Sequence, residues 1–360
     1  MRRALPVLLL VAPALALGGL GLALVAAAPA HTGPAGFGAA QHFAWRQAIG
    51  LLLGIALGAV AAQLGTRRVL AAAPVLFVIA LLATLAVWIP RVGVLAAGAR
   101  RWIHLGPFGG SPSPLLAGAV ALWLAAGETG VIRRRSVALA GALAAVLVMA
   151  LEPDFSAAAT TLVVAFATVA VAGRIPARRL VPVTAVLLAL LAAGALRSSY
   201  VDKRIRGFLS PESDRRGKGF EVLALAHANA SAGSGGVGLG HGHARRRLSS
   251  PASDYAYALV GEELGRPGAI AVLAGWGAIV AGVLCAARAA SRRGDLGGRA
   301  LAAGLGTALL VPAALHIAVC RGWLPIIGVT MPLLSYDPSL TVVSGAELGL
   351  LAAIAAERSS

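Results

Sequence analysis

Apolar residues in this chain fall into long unbroken blocks, not into the alternation of half-buried strands or the narrow stripe of a surface helix. Blocks of about 17–25 such residues match the length a helix needs to cross a hydrocarbon layer roughly 30 Å thick. Only helices and closed barrels satisfy every backbone group in lipid, and these blocks are too long for barrel strands. The pattern predicts about ten spans, centred near residues 16, 55, 80, 123, 143, 164, 188, 275, 309 and 347. The first follows Arg2 and Arg3. A cleaved signal peptide would share its basic start and Ala-rich end, but its apolar run is longer than a signal core, so an uncleaved helix is expected. The expected fold class is therefore all-α and polytopic, a single membrane domain over 1–360 with no soluble appendage.

Charge orients the spans. Arg67 and Arg68, Arg133 to Arg135, then Arg174, Arg178 and Arg179, and later Arg288, Arg292, Arg293 and Arg299, occupy alternate short loops. Short cationic loops remain on the cytoplasmic side, which puts both termini there, in a cytoplasmic membrane. Composition agrees: 58% of residues are hydrophobic, 12% are charged, and mean hydropathy is +0.83. The net charge of +17 follows in part from topology and requires no nucleic-acid partner. Cys285 and Cys320 fall in or near apolar blocks and offer neither a disulfide framework nor metal spacing.

Three outward segments remain, near 90–113, 198–254 and 321–338. The second, between the seventh and eighth spans, is the longest stretch without a span and is rich in cations, among them Lys203, Arg204, Arg206, Arg215, Arg216, Lys218 and Arg245 to Arg247. It reads equally as a solvated loop and as a docking surface for a phosphorylated substrate. Within it, Gly233 to Gly240 matches GxGxxG without a preceding strand, so a mobile turn or a close backbone approach, centred on Gly235 and Gly236, replaces the dinucleotide reading. His241 and His243 lack a matched third metal ligand. Asp254 stands before a helical segment, as an N-cap or as a general base. Glu262 and Glu263 lie where that helix meets the membrane, and Pro153 with Asp154 breaks the chain between two spans; structural or coupling roles are expected for these four. Arg101 and Trp102 combine a cation with an interfacial aromatic. The Pro/Gly-punctuated run from Gly322 through Ser335 and Tyr336 reads as an irregular or re-entrant loop.

In order and spacing these segments resemble the SEDS family (shape, elongation, division and sporulation), the FtsW and RodA proteins. The resemblance runs through Arg46-Gln47, the block 98–103, Pro112-Ser113, Pro153-Asp154, Phe208-Leu209 with Pro211, the glycine run, Asp254, Gly261 to Gly265, and Gly322 to Tyr336. Arg100 and Arg101 resemble the FtsW division branch more than the elongation branch. The resemblance implies a ten-helix glycosyltransferase that polymerises lipid II outside the cytoplasmic membrane beside a class B penicillin-binding protein, among divisome or elongasome proteins. It implies Asp254 as the base that deprotonates the acceptor 4-hydroxyl in an inverting transfer, with undecaprenyl pyrophosphate leaving. Arg101, Trp102, Arg206, Gly235, Gly236, Ser335 and Tyr336 are then the candidate substrate contacts. It implies no tightly bound cofactor and admits a divalent cation, Mg or Mn.

The sequence departs from the family pattern at several positions. Ser111-Pro112-Ser113-Pro114-Leu115 with Ala117 stands where the family has Gln-Pro-Ser-Glu-Leu and a lysine, so an acid and a base are missing. Asp337-Pro338 replaces Gly-Gly, His316 replaces an asparagine, and Glu347 sits within the last span, to pair with His316 or Arg321 or to stay neutral. These departures keep a catalytically impaired scaffold open beside the polymerase. A lipid-linked precursor flippase is a weaker rival, since the central spans are nearly free of charge.

Overall fold

A computed structural model describes residues 4–27, 37–96, 99–105, 108–214, 217–231 and 233–357. In chain order the long helices are α1 (Ala4–Ala26), α2 (Phe37–Leu85), α3 (Ser113–Glu128), α4 (Arg135–Leu151), α5 (Phe155–Ala172) and α6 (Ala177–Leu196). Shorter helices follow: α7 (Ser199–Leu209), α8 (Lys218–Ser231), α9 (Ala244–Arg247), α10 (Pro251–Asp254) and α11 (Ala256–Glu263). Then come α12 (Gly265–Arg292), α13 (Leu296–Cys320) and α14 (Pro338–Ala356). The helix α2 is two spans in one, because Gly65 at φ 73° and ψ 164° breaks it in a conformation that costs a residue without Cβ little. Among the described residues seven helices, α2 included, are long and apolar enough to cross a membrane, and α3 and α4 are shorter apolar helices. Counting both limbs of α2, the described residues hold the ten expected passes, and the chain is an integral membrane protein.

The bundle closes around α3. Leu116, Val120, Ala121, Leu124 and Ala125 are buried on several sides of it, against α2, α4, α5 and α13. Lipid offers no hydrophobic drive between apolar helices, so close backbone approach takes its place. Gly54 and Gly58 of α2 lie on Gly345 and Gly349 of α14, where any Cβ would collide with the opposing backbone. Gln47 ties the same pair near its end, donating to Thr341 Oγ1 (3.1 Å) and the Ser335 carbonyl (3.3 Å). By contrast α6 buries no residue in its apolar window and packs chiefly on α5.

Two outward segments differ from expectation. Part of 90–113 forms an antiparallel sheet, β1 (Gly93–Ala96), β2 (Ala99–Leu105) and β3 (Phe108–Gly110) in that order, with Val94 opposite Trp102 and Ile103 opposite Gly110. Backbone groups outside the bilayer can pair between strands, which an apolarity pattern does not register. The stretch 198–254 is mainly helical, through α7 to α10. α7 is amphipathic: Val201, Arg204, Ile205 and Phe208, spaced three and four apart, share its inner side, while Lys203 and Arg206 lie outside.

Candidate functional site

The ends of α3, α5, α13 and α14 and the helical segment 198–254 enclose a cavity of about 490 Å³. Its charged lining comes from distant parts of the chain: Arg101 on β2, Asp154 at the start of α5, Arg204 on α7, Lys218 on α8, Asp254 on α10 and Asp337 before α14. Glu347, on α14, marks its inner reach, among Ala117, Ala308, Pro312 and Val343.

Asp254 is the last residue of α10 and donates its amide to the Ser250 carbonyl (2.9 Å). The N-cap position of α11 belongs to Tyr255, and no side-chain cap bond is made there. The cap reading of Asp254 is thereby excluded: two short helices meet at Tyr255, which leaves the Asp254 carboxylate to the cavity. That turn is held from the opposite side, where Ser253 Oγ donates to the Tyr336 carbonyl (3.0 Å) and the Tyr336 amide to the Ala252 carbonyl (2.9 Å). Burial pushes the Asp254 carboxyl up to about 6, and the Glu221 and Asp337 charges add to this, while Arg204 and Lys218 oppose it. Arg204 Nη2 and Asp254 Oδ2 both face Gly328, 3.4 and 3.8 Å from where a Cβ would stand, so a larger residue there would crowd the pair.

The other acids of the cavity are engaged differently. Asp154 caps α5, accepting from the Ala157 amide (3.3 Å) and from Ser113 Oγ (3.0 Å), and Arg101 lies 3.7 Å away. Asp337 caps α14 through the Leu340 amide (3.0 Å) and accepts from Ser339 Oγ (2.7 Å), yet burial still raises its carboxyl above the ordinary range. Glu347 is 6% exposed and has no hydrogen-bond or ionic partner among the described residues. It pairs with neither residue expected for it: His316 is bound to the Tyr257 amide and the Val329 carbonyl, and Arg321 is exposed.

Of the candidate site residues offered by the sequence, Asp254, Arg101, Trp102 and Asp154 line this cavity, as do the family departures Ser111, Pro114, Ala117, Asp337 and Glu347. Arg206 does not: it is exposed, pairs with Asp202 (2.9 Å), and lies about 200° around α7 from Arg204. Gly235 and Gly236 are also elsewhere. The glycine run packs on the end of α11, where the Val237 and Gly238 amides donate to the Glu262 and Glu263 carbonyls (3.0 and 2.9 Å). Gly236 has φ +70°, and a Cβ there would strike the Glu263 backbone, so its role is a close packing contact. Ser335 is buried and accepts from the Met331 amide (2.9 Å), while Tyr336 meets Phe43 edge-on and braces the Asp254 turn through its backbone. Pro153 occupies the turn between α4 and α5.

Glu262 and Glu263 are wholly buried and outside the cavity. Glu262 accepts from the His243 and Ala244 amides (2.9 and 3.0 Å), and Glu263 takes a bidentate bond from Arg245 and a third from the Gly240 amide (2.9 Å). Arg245 also donates to the Leu24 carbonyl (2.9 Å), joining this knot to α1. Arg204 and Lys218, which the sequence offers only among the cations of the loop, and the serines 249, 250 and 253, which it does not single out, also line the cavity. The helical spacing of α7 was the signal that separates Arg204 from Arg206. No group of three or more His, Cys, Asp or Glu among the described residues is arranged to hold a metal, and His241 Nδ1 bonds the Leu239 carbonyl (3.0 Å).

A family model described as cell cycle protein, covering FtsW, RodA and SpoVE, matches residues 7–360. A probable peptidoglycan glycosyltransferase FtsW from Nitrosococcus halophilus is 34% identical over 362 residues, 96% of this chain and 91% of that protein. Its counterpart in Thioalkalivibrio sulfidiphilus is 31% identical over 94% of this chain and 86% of its own length. Among solved structures, a chain of a peptidoglycan synthase complex, described for its coordination of polymerization and crosslinking, superposes with TM-score 0.74 at 26% identity, over 96% of each chain. The rod shape determining protein RodA of Thermus thermophilus superposes with TM-score 0.69 at 25% identity, over 96% of this chain and 95% of its own.

Proposed function

Since the chain belongs to the FtsW/RodA/SpoVE family of cell cycle proteins, we propose that it is a peptidoglycan glycosyltransferase that polymerises lipid II in the cavity around Asp254. The observation that carries this reading is a carboxylate of raised basicity directed into a part-enclosed cavity that also presents Arg101, Arg204 and Lys218. Asp254 in its ionised form accepts the proton of the acceptor sugar 4-hydroxyl. The freed oxygen attacks the anomeric carbon of the growing strand with inversion, and undecaprenyl pyrophosphate departs with the bond electrons. Two guanidinium groups and an ammonium group suit the charge that develops on the leaving pyrophosphate.

The alternation of cationic short loops supports an orientation with both termini inside and this cavity on the outer face of a bacterial cytoplasmic membrane. Likeness to a chain of a peptidoglycan synthase complex supports a class B penicillin-binding protein as the crosslinking partner, within division machinery. The deciding assay incubates purified protein, alone and with its transpeptidase, with lipid II and resolves the products as glycan ladders. Ladders lost in Asp254→Asn support catalysis at Asp254, and equal ladders from that variant overturn the assignment. No product under any condition would leave the scaffold reading.

The pH dependence follows from the direction of the Asp254 shift. The base must be ionised, so the rate should rise with pH through an acid limb near 6 and level off above it. The same shift has the opposite sign for stability, because ionising a desolvated carboxyl disfavours the folded state. Stability contributed by the protonated form is complete below the unfolded value and is lost as pH rises through about 6.

A further inference from the structure

Glu221, on α8, does not itself line the cavity, yet four hydrogen bonds converge on its buried carboxylate. Lys218 Nζ donates to both oxygens (3.0 and 2.9 Å), Ser249 Oγ to Oε1 (2.9 Å) and the Tyr255 hydroxyl to Oε2 (2.9 Å). Lys218 and Ser249 line the cavity, and Tyr255 is the residue on which α10 and α11 meet, directly after Asp254. Tyr255 is 1% exposed, and the described hydrogen bond of its hydroxyl is the one to Glu221. One carboxylate therefore joins three parts of the site: the cation on α8, the serine before α10 and the pivot of the Asp254 turn.

We propose that Glu221 is a positioning residue of the transferase site, holding Lys218 against the cavity wall and anchoring the Asp254 turn through Tyr255. The proposal rests on the catalytic reading of Asp254. Lys218, on the same helix, is the charge that acts on Glu221, and Asp254, beyond Tyr255, is acted on by Glu221, Lys218, Arg204 from α7 and, across the cavity, Asp337. Burial works against ionisation of Glu221, but the bonds from Lys218, Ser249 and Tyr255 outweigh it and hold the carboxyl below the ordinary range. A permanent negative charge thus stands behind Asp254 and favours its protonated form, while Lys218 acts the other way. Neutralising Glu221 removes that charge and also frees Lys218 from its partner, and both changes lower the proton affinity of Asp254.

The test measures lipid II polymerisation from about pH 5 to 8.5 for the wild type, Glu221→Gln and Lys218→Met, each with its usual transpeptidase partner and each checked for an intact melting transition. Glu221→Gln should lose plateau rate and move the acid limb to lower pH, so that its activity relative to wild type is about threefold higher at the acid end than at the plateau. Lys218→Met should also lose rate but move the limb the other way. Opposite displacements in two variants of one ion pair are not produced by loosened folding, which scales a profile without moving it. Unmoved limbs in both variants overturn the proposal. A wild type without product at every pH, or ladders that survive Asp254→Asn, overturns the underlying reading instead.

Discussion

Asp254 and the pair Glu262–Glu263 lie within three helical turns of one another in sequence, yet the fold uses them in opposite ways. Glu262 and Glu263 are fully buried and fully bonded, to backbone amides and to Arg245, and they knit the glycine run to α11 and α1. Asp254 is braced only through its backbone and its neighbours, and its carboxylate is left to the cavity. A carboxylate whose acceptor sites are all occupied is a structural element. One that is desolvated and kept from such partners retains the capacity to take a proton.

The largest effect expected from this division is on catalysis. Asp254→Asn should reduce polymerisation by about 10³-fold, within the usual span for loss of a general base, while melting at neutral pH stays equal to or above the wild type. A melting temperature that falls with the activity would place Asp254 with the structural acids. Next, Arg245→Met should cost about 3 kcal/mol of stability by stranding Glu263, and the double change Arg245→Met with Glu263→Met should recover most of it, as followed by thermal melting in detergent. If the single variant melts like the wild type, the knot contributes little.

A smaller contrast lies on one helix. Arg204→Met should lower the polymerisation rate by about tenfold or more, since the cation faces Asp254, whereas Arg206→Met should stay within about twofold, as an exposed pair with Asp202 contributes little. Equal losses would mean that the loop acts by general charge. Smallest is Glu347→Met, which should raise stability by about 1 kcal/mol by removing a partnerless carboxyl from a membrane span. A drop in stability would show that the carboxyl is satisfied by something the cavity binds.

Much of this architecture was legible in the residues. The ten passes follow from block length because lipid admits few alternatives, and even the break in α2 falls beside Arg67 and Arg68. The cavity was legible only in part. Asp254, Arg101 and Trp102 stand out by chemistry and order, but Arg204 and Arg206 are indistinguishable in a loop and differ only once the segment has helical phase. The glycines 235 and 236 form part of a ligand-type motif, yet Gly236 packs on the Glu263 backbone and a Cβ at Gly235 would meet nothing.

By itself, the sequence determined the membrane-spanning class, the number of passes and the family, since each depends on local composition or on the linear order of motifs. Tertiary structure decided which of many similar ions face the cavity. That choice depends on helix phase over 199–209, on the meeting of α10 and α11 at Tyr255, and on partners as distant as Asp154, Glu221 and Asp337. Proton affinity depends on the surroundings of a carboxylate more than on its identity, and those surroundings exist only once the chain is folded.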